Sequence, residues 1–289
     1  MVLLRRMLRL VQGLQRYSWM HIVLRAVSVA LLLLPAMAKA DSDDLALCYR
    51  EDAAPFSYID DAGKPAGFSV DLCLRASEHM GQSNPQLIAV SVENRFEELG
   101  KTCDVLCEAT TMTLDRRKDM EFSLIIFVTG TALLYPRELP EKNDQNDEVL
   151  TVGLLSDTTT HNKWKSGNLI SGSTWNFEFK SVPSHDVAVQ ELESGILDAY
   201  IADREILEAI LEGSQNLQNK LQIGLRSLSY EPYALAVPMG ADDIRIRIDE
   251  TLVELFRSGE IDDILVEHVP NRRFDPILAE LFRMQSLPD

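Results

Sequence analysis

Four cysteines, Cys48, Cys73, Cys103 and Cys107, are the residues whose type most directly promises chemistry. Thiols pair as disulfides, ligate metals or act as nucleophiles. Cys103 and Cys107 are not read as a metal-binding or thioredoxin-like pair. In an extended segment they lie ~13 Å apart, too far to bridge each other. Four cysteines in an oxidising compartment allow three pairings, and the sequence leaves the choice open. One or two disulfides within the first part of the chain are expected. The five histidines are scattered, without a pair at metal-ligand spacing. There is no Gly-rich phosphate loop, no H-E-x-x-H and no G-x-S-x-G. Asp60-Asp61-Ala62-Gly63 begins like a calcium loop but lacks the acid ligands that should follow, so it reads as a turn. No cofactor and no metal are expected.

The elements that must position any site alternate between strand and helix. Residues 45–49 read as a short apolar strand and 55–59 as a second extended piece, with a turn cluster at 60–65. Ser69 to about Met80 reads as an amphipathic helix closed by Gly81, with Ser69 as its N-terminal cap. Strands follow at 87–92 and 104–108 around a short helix at 95–99. The polar stretch 138–148 reads as a loop, and 149–155 starts a fresh strand. Helices are expected at 187–197 and 205–211, with a buried strand at 198–202 between them. A strand at 235–237 precedes two helices within 242–269, broken near Gly259. This alternation indicates an α/β chain with parallel sheet.

Residues 1–40 carry Arg5, Arg6, Arg9, Arg16, Arg25 and Lys39 and no acid. The apolar run 26–34 leads to Ala36, Ala38 and Ala40. A basic start, a short apolar core and an A-x-A box make a secretory signal, with cleavage expected after Ala40. An uncleaved anchor is the weaker reading, because the uninterrupted run falls short of the ~20 residues a span prefers. Met20 is an alternative start, and the absence of a Cys after the apolar run argues against a lipid anchor. Loss of residues 1–40 takes the net charge from −17 to −23. Such an acidic surface does not suit nucleic acid, which needs clustered Lys and Arg. The mature chain is long enough for two lobes, each with its own core.

Four segments together resemble the extracytoplasmic solute-binding proteins of bacterial amino-acid ABC importers. The first is Ala54-Pro55-Phe56-Ser57-Tyr58 followed by Gly63-Lys64-Pro65-Ala66-Gly67-Phe68-Ser69-Val70-Asp71-Leu72. The second is Thr110-Thr111-Met112-Thr113-Leu114-Asp115-Arg116, running on to Phe122-Ser123. The third is Val152-Gly153-Leu154-Leu155-Ser156-Asp157-Thr158-Thr159. The fourth is Leu192-Glu193-Ser194-Gly195-Ile196-Leu197-Asp198-Ala199-Tyr200-Ile201-Ala202-Asp203. The resemblance implies a two-lobed periplasmic-binding-protein fold of type II, with a ligand cleft between the lobes and two hinge crossovers. Carried onto this chain, the crossovers fall near 127–130 and 227–236. Lobe 1 then comprises 41–128 and 235–289, and lobe 2 comprises 131–230. The implied partners are an amino-acid ligand and the membrane permease and ATPase of an importer, with the chain a periplasmic monomer.

An amino acid needs a bidentate Arg and neutral donors for its α-carboxylate, and a carboxylate for its ammonium. By resemblance, Arg116 is the carboxylate clamp, with Thr111, the backbone of Ala109 and the Thr158–Thr159 turn as donors. Asp203 holds the ammonium. Arg50, Arg95 and His185 stand where the glutamate- and aspartate-binding members meet the ligand's distal carboxylate. There are departures. Val92 and Ala109 stand where hydroxyl residues are usual, Asp157 stands where a Gly is usual, and the stretch from Arg95 to Asp104 is one residue short. Two other readings are kept. A few proteins resembling this fold are cyclohexadienyl dehydratases, which would need a general acid; Glu205 and Glu108 are the candidates. The third reading is a ligand-sensing module acting through a membrane partner.

Overall fold

The computed structural model describes residues 45–138, 149–165, 176–272 and 275–288. The expected leader at 1–40 and nearly all of the expected loop at 138–148 lie outside these residues. Among the described residues no helix is long and apolar enough to cross a membrane.

The chain opens with β1 (Ala46–Arg50), a nearly all-buried run, as befits a strand covered on both faces. β2 (Asp52–Ala53), β3 (Ser57–Ile59) and β4 (Pro65–Ala66) form a small antiparallel sheet. Its turn is built by Asp60, whose Oδ1 accepts the backbone N–H of Ala62 and Lys64 at 2.9 and 2.8 Å. Gly67 follows at φ +129°, where any Cβ would run into the Phe56 carbonyl, so only glycine fits. α1 (Phe68–His79) therefore starts two residues earlier than expected. The cap position belongs to Gly67, and Ser69 is buried inside the first turn rather than capping it.

β5 (Gln86–Val90), α2 (Arg95–Glu98) and β6 (Val105–Leu106) complete the first βα units. β7 (Met120–Thr129) and β8 (Thr131–Pro136) are separated by Gly130 alone. Then come β9 (Val149–Leu155), α3 (Thr159–Lys165), β10 (Asn176–Val182), α4 (His185–Glu193) and β11 (Ala199–Asp203). α5 (Arg204–Glu212), α6 (Gln215–Lys220) and β12 (Leu221–Ile223) lead to β13 (Glu231–Pro238). α7 (Asp242–Ser258), α8 (Glu260–His268) and α9 (Pro276–Gln285) end the chain, with Gly259 at φ +81° making the predicted break.

Two five-stranded sheets result, ordered β5-β1-β6-β13-β7 and β10-β9-β11-β8-β12. β7 and β13 pair antiparallel in the first, whereas β8 pairs with β11 and β12 in the second. The chain thus passes between sheets twice, once at Gly130 and once in the stretch ending before Glu231. These crossovers are narrower than expected, because Phe127, Val128 and Thr129 pair with Tyr233, Pro232 and Glu231 as part of the first sheet. They also lie against each other. The Leu228 N–H donates to the Thr131 carbonyl at 2.7 Å, and a Cβ on Gly130 would collide with the Ser229 carbonyl.

Two disulfides brace the first sheet. Cys48–Cys103 joins β1 to the segment before β6, and Cys73–Cys107 joins α1 to the residue after β6, with Cα–Cα separations of 5.6 and 6.1 Å. Cys48 and Cys103 pack with Leu106 and Ala234, while Cys73 and Cys107 pack with Leu47 and Val105. The pairs therefore sit on opposite faces of the sheet, as strand alternation requires.

Candidate functional site

Parallel strands place their C-terminal ends along one edge of a sheet, and that edge is where the chemistry gathers. Arg50 ends β1, Arg95 opens α2, and Glu108 follows β6 by two residues. Glu108 is fully buried, and Arg50 and Arg95 are each 3% exposed. Arg95 Nε lies 3.2 Å from Glu108 Oε1 and Arg50 Nη1 lies 3.5 Å from Oε2. The Thr110 hydroxyl donates to Oε1, and Asp52 meets the outer side of Arg50 at 2.8 Å.

Thr111 is delivered by a segment that runs beside β13, where the Met112 N–H bonds the Pro232 carbonyl at 2.8 Å. Arg116 opens a single 3-10 turn, its backbone N–H donating to the Thr113 hydroxyl at 3.1 Å and its Nη1 to the Thr111 carbonyl at 2.7 Å. The guanidinium carbons of Arg95 and Arg116 lie 4.1 and 4.7 Å from the Phe96 ring centre. That aromatic face orients both cations.

The second sheet supplies the opposing wall. Asp157 takes φ +58°, a conformation that favours glycine, and its carbonyl accepts Arg95 Nη2 at 2.8 Å. Thr158 caps α3, accepting the His161 N–H at 3.1 Å, and the Thr159 hydroxyl donates to Glu231 at 3.1 Å. Ser184 caps α4, which makes His185 its first residue, with Nδ1 2.8 Å from the Tyr200 hydroxyl. Asp203 ends β11 and accepts the Tyr233 hydroxyl from β13.

All nine residues singled out from the sequence meet at one cavity: Arg50, Arg95, Ala109, Thr111, Arg116, Thr158, Thr159, His185 and Asp203. Its volume is about 30 Å³, the space of a water molecule or two. Leu155, Thr160, Ile201, Ala202 and Ile206 complete the wall. Arg95 Nη1, His185 Nε2 and Asp203 Oδ1 are buried with neither a hydrogen-bond nor an ion-pair partner, whereas Arg50 Nη2 and Arg95 Nε, also without a hydrogen bond, sit in ion pairs with Asp52 and Glu108. Buried polar atoms are rarely left so, and three around one cavity mark a place prepared for polar groups. Val92, which replaces a hydroxyl residue, instead packs with Leu155, Val182 and Ala188 of the opposite wall.

Burial sets the protonation states. It pushes Asp203 up to about 7, with the Tyr233 hydrogen bond opposing and the charges of Glu231 and Glu205 adding to the rise. His185 is pushed down to about 4 by burial and then by Arg50. Burial also lowers Arg95 to about 10, against the pull of Glu108, with Arg50 and Arg116 lowering it further. For Glu108 burial acts upward, but Arg95 and Arg50 outweigh it and hold the carboxyl below its ordinary value. The site at neutral pH therefore presents three guanidiniums, a neutral imidazole and a carboxyl poised to lose its proton.

Sequence reasoning missed several supporting groups. Glu108 is named there only as a candidate acid and Tyr200 only as part of a segment, and Phe96, Tyr233 and Glu231 are not singled out. Glu108 meets Arg50 and Tyr233 meets Asp203 only across long stretches of chain, so nothing local marks those pairs. Glu205 does not line the cavity; the Thr129 hydroxyl donates to it and Arg272 pairs with it at 3.0 Å.

The family model described as bacterial extracellular solute-binding proteins, family 3, matches residues 45–271. The L-glutamate/L-aspartate-binding protein of Pseudomonas aeruginosa is 27% identical over 259 residues, covering 83% of this chain and 84% of its own. The glutamate/aspartate import solute-binding protein of Escherichia coli is 27% identical over 221 residues, covering 74% and 72%. A solved mutant of ArgBP from T. maritima superposes with a TM-score of 0.69 at 23% identity, covering 80% of this chain and 98% of that one. The architecture is the two-lobed type II periplasmic binding-protein fold, with two hinge crossovers and the cleft between the lobes.

Proposed function

This chain belongs to the bacterial extracellular solute-binding proteins of family 3, and from that premise we propose that it captures an acidic L-amino acid, glutamate or aspartate, by closure of its lobes. The observation that carries the reading is the set of unpartnered buried atoms Arg95 Nη1, His185 Nε2 and Asp203 Oδ1 around one cavity with Arg50 and Arg116. In this reading Arg116 and Thr111 clamp the α-carboxylate, with backbone donors at Ala109, Thr158 and Thr159. Asp203 takes the ammonium through Oδ1. Arg50, Arg95 and His185 take the distal carboxylate.

Charge supports the acidic end group. Burying a carboxylate costs several kcal/mol unless opposite charge and hydrogen bonds meet it, and this end of the cleft offers two guanidiniums and an imidazole N–H. A basic side chain would meet those cations head on. The names of the Pseudomonas and Escherichia relatives agree with this choice. We place the mature chain in the periplasm as a monomer, export directed by residues 1–40, handing its ligand to the permease and ATPase of an ABC importer. Lobe 1 is assigned to 41–128 and 235–289, with Thr129 and 231–234 joining it through the first sheet, and lobe 2 to 131–230.

Binding is preferred over turnover because neither acid named for the dehydratase reading faces the cavity. Glu108 is held between Arg50 and Arg95, and Glu205 between Thr129 and Arg272. The test is calorimetric titration of the mature chain, refolded to strip carried ligand, with glutamate, aspartate, glutamine, arginine and prephenate. Saturable binding confined to the two acidic amino acids is expected. Tight binding of arginine or glutamine would discard the distal-carboxylate assignment, and heat from prephenate turnover would move the chain to the enzymes.

A further inference from the structure

Glu108 has no role in the reading above, yet it is the most deeply buried charge of the site. It is fully buried, touches both distal arginines, accepts the Thr110 hydroxyl and does not itself line the cavity. The cavity and Glu108 thus share the same two guanidiniums from different sides. We propose that Glu108 is a resident counter-charge that sets the distal end of the cleft to accept a monoanionic group and to reject a dianionic one. The proposal rests on the acidic-amino-acid reading and deepens it.

The argument is one of charge. Arg50 and Arg95 alone would present two positive units, and Glu108 leaves one. A single ligand carboxylate then neutralises the end of the cleft. Asp52 also touches Arg50, but its side chain is 42% exposed, so water screens it. His185 is buried beside Arg50 and, with its pKa near 4, adds no charge at neutral pH. Arg116, Asp203 and Glu231 belong to the end that meets the zwitterion. A residue present only to fill space behind two arginines would not be a carboxylate, since an ion in that position must be matched on every side. Glu108 also holds the arginines: Arg95 Nε lies 3.2 Å from Glu108 Oε1 as an ion pair and Nη2 donates to the Asp157 carbonyl, which leaves Nη1 for the cavity.

The experiment compares L-glutamate with 2-amino-4-phosphonobutanoate, its analogue with a distal phosphonate, by calorimetry at about pH 8.5, where that group is mainly dianionic. Glu108→Gln keeps the shape of the side chain and removes its charge. The unaltered chain is expected to prefer glutamate, and E108Q is expected to shift the affinity ratio toward the phosphonate by at least about tenfold, the scale of one buried charge. A folded E108Q that weakens both ligands equally, with the ratio unchanged, would reduce Glu108 to a structural residue and overturn the proposal. A second measurement needs no substitution. Lowering the pH to about 5.5 makes the phosphonate a monoanion, and its affinity for the unaltered chain relative to glutamate is expected to rise by about tenfold. No rise, or a fall, overturns the proposal. If glutamate itself does not bind, the functional reading falls and this one with it; if glutamate binds and the ratio stays fixed, only the role of Glu108 falls.

Discussion

Ligand capture by this cleft should release a proton, and the amount is set by Asp203. Its Oδ2 accepts the Tyr233 hydroxyl while Oδ1 is buried and unpartnered, and burial lifts its pKa to about 7. At pH 6 a group of that pKa is about 90% protonated, and at pH 8 about 10%. An ammonium placed against Oδ1 favours the charged form and drives the proton off. Glutamate itself does not titrate in this window, and His185 titrates well below it. Binding is therefore expected to release about 0.9 proton at pH 6 and about 0.1 at pH 8. Because the free protein holds more protons than the complex, affinity rises with pH, by about tenfold between these two values.

The assay is calorimetry in buffers of different ionisation enthalpy, where the slope of the observed heat against that enthalpy counts protons. Asp203→Asn serves as the control, since its amide cannot titrate, and both the proton release and the pH dependence should disappear with it. A slope of zero at pH 6 for the unaltered chain, or net proton uptake, would refute the placement of the ammonium at Asp203.

Other expectations can be checked on the same material. Arg116→Ala should abolish binding of every amino acid, whereas Arg50→Ala should cost glutamate roughly 2–5 kcal/mol and glutamine much less. Equal losses for the two ligands would remove Arg50 from the distal end. His185 and Asp203 act on stability in opposite directions in acid. His185 is lowered from 6.5 to about 4, so the stability it supports is complete above pH 6.5 and lost as pH falls toward 4, on the order of 3 kcal/mol in all. Asp203 is raised from 3.8 to about 7, so its protonation favours the folded state progressively as pH falls across that range. Urea unfolding of the free protein should therefore weaken little between pH 6.5 and 4, whereas D203N, lacking the compensation, should weaken markedly. Parallel curves for the two proteins would refute the opposition.

How much of this could be read from the chain differs between the two kinds of residue at the site. The nine residues expected at the site, which line the cavity with five others, sit in short segments whose family resemblance points to them. What supports them was not visible. Glu108 meets Arg50 across 58 positions of sequence, and Tyr233 meets Asp203 across 30. Such pairs exist only once the strands are ordered in their sheets. The crossovers were placed too broadly for a similar reason, since an apolar run such as 120–129 does not reveal where its pairing partner ends. The departure at Asp157 was visible as a residue type, and its physical sense came from the backbone. A side chain held at φ +58° turns its carbonyl to Arg95, a contact from the second sheet to the first.

The contacts across the cleft explain how recognition and closure can be one event. Tyr233 belongs to the first sheet and Asp203 to the second, and the hydrogen bond between them spans the lobes beside the crossovers. Asp157 to Arg95 and Thr159 to Glu231 span them likewise. Each of these bonds uses a group that also reaches the cavity wall. A ligand that occupies the remaining valences, Oδ1 of Asp203 and Nη1 of Arg95, therefore bears on residues whose other valences are satisfied only when the lobes meet. Separating the lobes would break both sets of bonds together. Under the proposed function, that coupling would convert affinity for a small zwitterion into a preference for the closed form, the population shift a hinge needs to signal occupancy to a partner.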